Sequence, residues 1–112
     1  MPIAHCIVTP ELRSTGNSSH NLIALWGDES GISIEHMTVN IIVGNSQFGN
    51  RYQVMANLYL PTLWSPSDIS SLQTGLAKGL SRYYQIVIES VFIMTQLVES
   101  GMVVVAGEEL KW

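Results

Sequence analysis

The sequence predicts an α+β domain in which two β-α-β units form one four-stranded mixed sheet with two helices on one face. The first observation is length, since 112 residues is the size of a single compact domain. The second is order, because a pattern of strand, helix, strand and turn occurs and is then repeated. The third is handedness, since parallel strands within a unit must be joined by a right-handed crossover through the helix. We therefore expect one domain over residues 1–112, with internal repeats at about 2–54 and 55–112.

The first repeat reads as a strand, a turn, a short helix, a strand and a loop or hairpin, at 2–9, 14–19, 19–29, 37–43 and 44–50. In the opening strand, β-branched residues are frequent and both faces are largely apolar. Leu22, Leu25 and Trp26 lie within about one helical turn, which indicates the helix.

The second repeat reads as a strand, a long helix, a strand, a turn, a short strand and a tail, at 52–60, 65–84, 90–97, 99–101, 102–105 and 106–112. Ser65 is a good N-cap, and Pro66 suits the first helical position. Apolar residues then recur at spacings of three and four, the stripe of an amphipathic helix, at Ile69, Leu72, Leu76 and Leu80.

The composition restricts what the domain can bind. Charged residues make up only 12%, about half the usual ~25%, so we expect apolar surface to be buried against other subunits. A net charge of −4 argues against nucleic acid as a partner. A single cysteine and three scattered histidines (His5, His20 and His36) show no metal-ligand spacing, and no Gly-rich phosphate loop is present. We expect no metal, no cofactor and no membrane span, and a cytoplasmic location.

The chemistry of the chain is concentrated at Met1-Pro2. An initiator Met before a small residue such as Pro is normally removed, which would leave Pro2 as a terminal secondary amine. An α-amino group titrates near pH ~8, and an apolar pocket lowers that pKa by disfavouring the ammonium form. The amine could then act as a general base. If Met1 is retained, Pro2 has an amide nitrogen and this chemistry is lost.

Several segments together resemble the tautomerase superfamily. Residues 55–110 resemble 4-oxalocrotonate tautomerase in the Ser65-Pro66-Ser67-Asp68 helix start, in Ser81-Arg82, and in the strand Ser90–Gln96 with its closing Gly101–Glu108 hairpin. The first half opens with Pro2-Ile3-Ala4-His5, which is similar to that family's first strand. The whole chain therefore resembles the fused two-unit members, such as 5-carboxymethyl-2-hydroxymuconate isomerase and macrophage migration inhibitory factor. The resemblance implies a homotrimer.

The resemblance also implies roles for four residues. Pro2 matches the family's catalytic proline. Arg13 follows the opening strand, where the family often has an arginine that binds a substrate carboxylate. Phe48 corresponds roughly to the aromatic pocket wall, and Arg51 lies close enough to that wall to reach a neighbouring subunit's pocket. A small carboxylic acid is the implied substrate.

The sequence departs from the family at its second arginine. That position is Phe92 in the second repeat, and Met37 or Thr38 in the first. Two readings follow. One is a tautomerase that uses Pro2 as general base on an unsaturated or 2-oxo carboxylic acid, with related decarboxylase or dehalogenase chemistry as a variant. The other is a non-catalytic trimeric relative that serves as a structural or ligand-binding module.

Overall fold

A computed structural model describes residues 1–13 and 21–112, and this part of the chain forms two β-α-β units on one sheet. The strands are β1 (Ile3–Val8), β2 (Thr38–Val43), β3 (Val54–Pro61), β4 (Val91–Val98), β5 (Val103–Val105) and β6 (Glu108–Leu110). The helices are α1 (Leu22–Ser30) and α2 (Pro66–Tyr84), with short 3-10 turns at Pro10–Leu12 and Ile88–Ser90. The predicted fold class, a four-stranded mixed sheet with two helices on one face, is confirmed.

The strand order decides which residues can meet. The main sheet runs β2-β1-β3-β4, and β5 and β6 form a separate two-stranded sheet. β1 is parallel to β2 and β3 is parallel to β4, whereas β1 and β3 are antiparallel at the centre. The two units are thus related by an approximate twofold axis between β1 and β3. The start of β1 lies beside the end of β3, and the end of β1 lies beside the start of β3.

The core lies between one face of the sheet and the two helices. Alternate residues of the central strands are buried there, namely Ala4, Cys6, Val8, Val54, Ala56, Leu58 and Leu60. From the helices, Trp26, Leu72, Leu76 and Leu80 are fully buried in the same cluster. The indole N–H of Trp26 donates to the carbonyl oxygen of Leu72 at 2.9 Å, which satisfies the buried polar atom and ties α1 to α2.

The long helix begins where its sequence predicts. The Ser65 hydroxyl accepts from the backbone N–H of Asp68 at 3.1 Å, and Pro66 occupies the first turn. The short helix is bounded by Asn21, whose side chain accepts from the N–H of Ile23 at 2.8 Å, and by Gly31 at φ 71°. It thus begins at Leu22, later than predicted, while the predicted turn at 14–19 lies outside the described residues.

Of two segments outside the predicted helices and strands, the first is a loop, one of its two predicted forms, and the second differs from its prediction. Residues 44–50 form a loop without strand pairing, in which the Gln47 side chain bonds the Tyr52 backbone at 2.6 and 3.0 Å in place of a ladder. Residues 106–112, predicted as a tail, instead contain β6, which pairs antiparallel with β5. Positive φ angles at Ala106 (54°) and Gly107 (79°) make the tight turn between these strands. No helix in the described ranges is long and apolar enough to cross a bilayer.

Candidate functional site

Pro2 stands directly before the central strand β1. Its side chain is fully buried, and its carbonyl oxygen accepts from the N–H of Thr38 at 3.0 Å, so the backbone here is held by the first rung of the β1–β2 ladder. Met1 continues past the end of the sheet and is partly buried. Burial lowers the pKa of the Met1 amine below its ordinary value, because the ammonium form is poorly solvated there.

Met1 separates two cavities at this end of the sheet. The smaller has a volume of about 50 Å³ and is almost entirely apolar, lined besides Met1 by Ile3, Tyr59, Leu60, Pro61, Val98 and Val103. The larger measures about 310 Å³ and is lined besides Met1 by His36, Pro61, Leu63, Leu110, Lys111 and Trp112. Met1 and Pro61 line both cavities, and Pro2 follows Met1 at this end of the sheet. The two cavities together are called the Pro2 pocket below.

The polar groups of this pocket come from distant parts of the chain. Tyr59 lies opposite Ile3 in the β1–β3 register and makes an edge contact with the His5 ring, with centroids 5.5 Å apart. His36 precedes β2, and Lys111 follows β6. Lys111 is the cationic side chain of the larger cavity. Sequence reasoning missed Tyr59, His36 and Lys111, since no local pattern indicates which residues the strand order brings to Pro2.

Arg13, Arg51 and Phe48 lie at the opposite end of β1. Arg51 lines a separate cavity of about 40 Å³ together with Thr9, and pairs loosely with Glu11 at 3.9 Å. Arg13 is exposed beside the 3-10 turn, and Phe48 is 92% exposed. Because a strand rises ~3.3 Å per residue, Pro2 and this end of β1 are about 20 Å apart. Within one chain the structure therefore does not bring these three residues to Pro2, and their roles in substrate binding stay predictions.

Cys6, Phe92 and Met37 supply no charged group to the site. Burial raises the pKa of the Cys6 thiol to about 12, so it stays protonated and behaves as a small core residue. Phe92, at the position where the family resemblance would place an arginine, packs against the Tyr52 ring at 5.1 Å, and Met37 is buried in the core. No group of three metal-ligating side chains occurs within residues 1–13 and 21–112.

Solved structures of other proteins share this fold. A wild-type fused 4-OT, described as a symmetric trimer, matches with a TM-score of 0.69 and 11% identity, over 97% of this chain and 94% of the other. A protein inactivated by 2-oxo-3-pentynoate matches at 0.66 with 13% identity, over 97% and 94%. Macrophage migration inhibitory factor from Oncomelania hupensis matches at 0.70 with 13% identity, over 99% and 83%.

The chain has the tautomerase fold. The likeness extends over nearly the whole length of both chains, as the fused two-unit organisation requires. No family model matches the sequence, and no curated protein does. At identities of 11–13% the tautomerase fold is the common feature of these proteins, and fold alone assigns no role to an individual residue.

Proposed function

We propose that this protein is a small tautomerase in which the amine of Pro2, freed by removal of Met1, is the general base. The substrate class is an unsaturated or 2-oxo carboxylic acid that undergoes keto–enol tautomerisation. The observation that supports this most directly is the position of Met1-Pro2, at the start of a central strand and between two cavities with mostly apolar walls. An amine in such surroundings has a lowered pKa, because the ammonium form is poorly solvated. Burial already lowers the pKa of the Met1 amine in this way.

In this mechanism, the Pro2 nitrogen takes a proton from the carbon next to the substrate carbonyl. The electron pair moves into the C–O bond to give an enolate, and the proton returns elsewhere on the conjugated system. A positive group near the oxygen stabilises the developing charge. Arg13 or Arg51 can fill that role only from a neighbouring subunit, because within one chain they lie about 20 Å from Pro2. Phe48 would likewise complete a neighbour's pocket wall.

We propose a homotrimer as the functional unit, with residues 1–112 as one domain in each subunit. The fused 4-OT neighbour is described as a trimer, and this chain exposes many large apolar side chains for its size. Among them are Ile42, Met94, Val104 and Val105, which are 48–63% exposed on sheet faces and edges. A cytoplasmic location stays a prediction.

One observation favours a second candidate, a non-catalytic module that binds a small acid. The position at which the family resemblance implies a second arginine holds Phe92, whose ring packs on Tyr52 at 5.1 Å. An apolar contact there supplies no charge for an enolate. Retention of Met1 would favour the same reading, since the Pro2 nitrogen would then be an amide.

The test begins with the intact mass of untagged protein, which reports whether Met1 is removed. Wild type with a verified Pro2 terminus is then compared with Pro2→Ala in the tautomerisation of phenylpyruvate and several other enol acids. We expect a fall of about 10²–10⁴-fold, the range for a lost general base. Pro10→Ala is the matched control, because Pro10 is exposed at the opposite end of β1. Equal activity in wild type and Pro2→Ala would leave the binding module as the better reading.

A further inference from the structure

We propose that Lys111 is the carboxylate anchor of the Pro2 pocket and is supplied by the same chain as Pro2. The inference rests on the proposed function for the class of ligand, a small oxo acid. The resemblance to the family implies an arginine as the anchor, whereas this proposal assigns a lysine. The strand order puts Arg13 and Arg51 at the far end of β1, away from Pro2.

The C-terminal hairpin holds Lys111 over the start of β1. The N–H of Gly101 donates to the carbonyl oxygen of Leu110 at 2.8 Å, which closes the β5–β6 ladder just before Lys111. Just after it, Trp112 is fixed twice: its backbone N–H donates to the Ser100 hydroxyl at 2.8 Å, and its indole N–H donates to the Thr62 hydroxyl at 2.9 Å. The backbone of Lys111 is therefore fixed on both sides, while its side chain is free to reach into the cavity.

The cavity suits an anion with a short apolar tail. Its volume of about 310 Å³ falls at the small end of ligand sites, which run from roughly 300 to 1,000 Å³. Met1, Pro61, Leu63 and Leu110 provide apolar wall, and Lys111 provides the positive charge. Among the described residues Lys111 takes part in none of the ion pairs, which involve Arg51 and Arg82. Its ammonium group is thus available to a ligand carboxylate.

The ligand geometry follows from these positions. A carboxylate on Lys111 directs the carbonyl end of a 2-oxo acid toward Met1, the place where the Pro2 amine opens when Met1 is removed. Anchor and base would then act on the two ends of one small molecule. In this arrangement two different groups bind the carboxylate and stabilise the enolate. An arginine from a neighbouring subunit is needed only to stabilise the enolate.

Binding tests the anchor without catalysis. We would titrate the full chain with 2-oxopentanoate and with its neutral counterpart pentan-2-one, following backbone NMR shifts. Lys111→Gln should weaken 2-oxopentanoate about 10- to 100-fold, as expected for a lost hydrogen bond to a charged group, and leave pentan-2-one unchanged. Lys111→Arg should keep most of the affinity. Lys78→Gln is the matched control, since Lys78 is an exposed lysine on α2.

Three outcomes would overturn the proposal: wild type that does not bind 2-oxopentanoate, Lys111→Gln that binds it as wild type does, and equal loss of affinity for both ligands in Lys111→Gln.

A second experiment separates failure of the Lys111 anchor from failure of the proposed function. The alkyne 2-oxo-3-pentynoate and the neutral pent-3-yn-2-one both accept an amine by conjugate addition, in which a C–N bond forms, the amine proton moves to the adjacent carbon and no group leaves. Peptide mapping locates the adduct.

If Pro2 is the base, both reagents label the N-terminal peptide of the processed protein. If Lys111 is the anchor, Lys111→Gln slows labelling by the acid about 10-fold or more and leaves the neutral ketone unaffected. Labelling by neither reagent would reject the Pro2 amine while the binding titration still decides Lys111. Equal labelling of wild type and Lys111→Gln by the acid would reject the anchor while keeping the base.

Discussion

Gly75→Ala should destabilise the fold, because α2 crosses α1 at Gly75 with no room for a side chain. A Cβ built there would lie 2.8 Å from the N, Cα and Cβ atoms of Ser30, and two of these are backbone atoms that cannot turn away. Alanine gains about 1 kcal/mol over glycine in a helix interior. Overpacking costs about 1–3 kcal/mol, and contact with backbone belongs at the upper end of that range. We expect a net loss of about 2 kcal/mol.

Gly79→Ala is the matched control, one turn further along the same helix. Its Cβ would lie 3.3 Å from the N and Cα atoms of Trp26, so a small shift suffices and the helix-propensity gain nearly offsets it. Thermal unfolding should show Gly75→Ala lower by about 8 °C, at roughly 4 °C per kcal/mol for this size, and Gly79→Ala close to wild type. Protomer concentration must be equal, since the proposed subunit assembly would also shift the midpoint. A Gly75→Ala midpoint at or above wild type would refute the packing argument.

Three further perturbations test the electrostatics. In protein that begins at Pro2, the tautomerisation rate should rise with pH as the amine loses its proton. The midpoint of that rise should lie below pH ~8, since burial lowers the amine pKa, and a midpoint at or above 8 would contradict this. Burial raises the pKa of Cys6 to about 12, so between pH ~9 and 11 the thiol ionises in the unfolded chain but not in the folded one. The free energy of unfolding should therefore fall by about 2 kcal/mol over this range. The urea midpoint of Cys6→Ala should fall less than that of wild type between the same two pH values. Arg82→Met should leave the urea midpoint close to that of wild type, because its pairs with Asp28 (3.0 Å) and Glu29 (2.7 Å) lie at the surface, where water screens them. A clearly lower midpoint would show a stronger network.

The sequence predicts those elements whose signals are local. The Ser65-Pro66 start and the leucine stripe specify α2, and the structure confirms it. In contrast, the sequence predicts a tail where β6 forms, because two of its three residues, Glu108 and Glu109, are charged and weakly disposed to strands. Its pairing depends instead on the turn at Ala106 and Gly107, whose positive φ angles are set by the folded hairpin.

The candidate site shows the same division. Pro2 could be chosen from the sequence because the chemistry of a terminal proline is intrinsic to it. Lys111 could not, because only the folded chain, with Trp112 hydrogen-bonded to Thr62, brings Lys111 into the cavity that Met1 lines. Arg51 shortly precedes β3, which pairs with the strand that Pro2 begins, β1. Because β1 and β3 are antiparallel, Arg51 nevertheless lies at the end of β1 that is far from Pro2.

That separation yields a prediction about subunits. If Arg51 stabilises the enolate, it must do so in another subunit's site, so Pro2→Ala and Arg51→Gln damage different chains of a shared site. Each homotrimer alone should be impaired, Pro2→Ala by about 10²–10⁴-fold and Arg51→Gln by about 10²-fold. Chains co-expressed in equal amounts and assembled at random should have both groups intact in about a quarter of their sites, and activity should recover to about that fraction of wild type. The control is a mixture of the two preassembled proteins, in which the chains have not exchanged. Recovery no greater than in that control, or full activity of Arg51→Gln alone, would remove Arg51 from the site and leave Lys111 as the cation that serves Pro2.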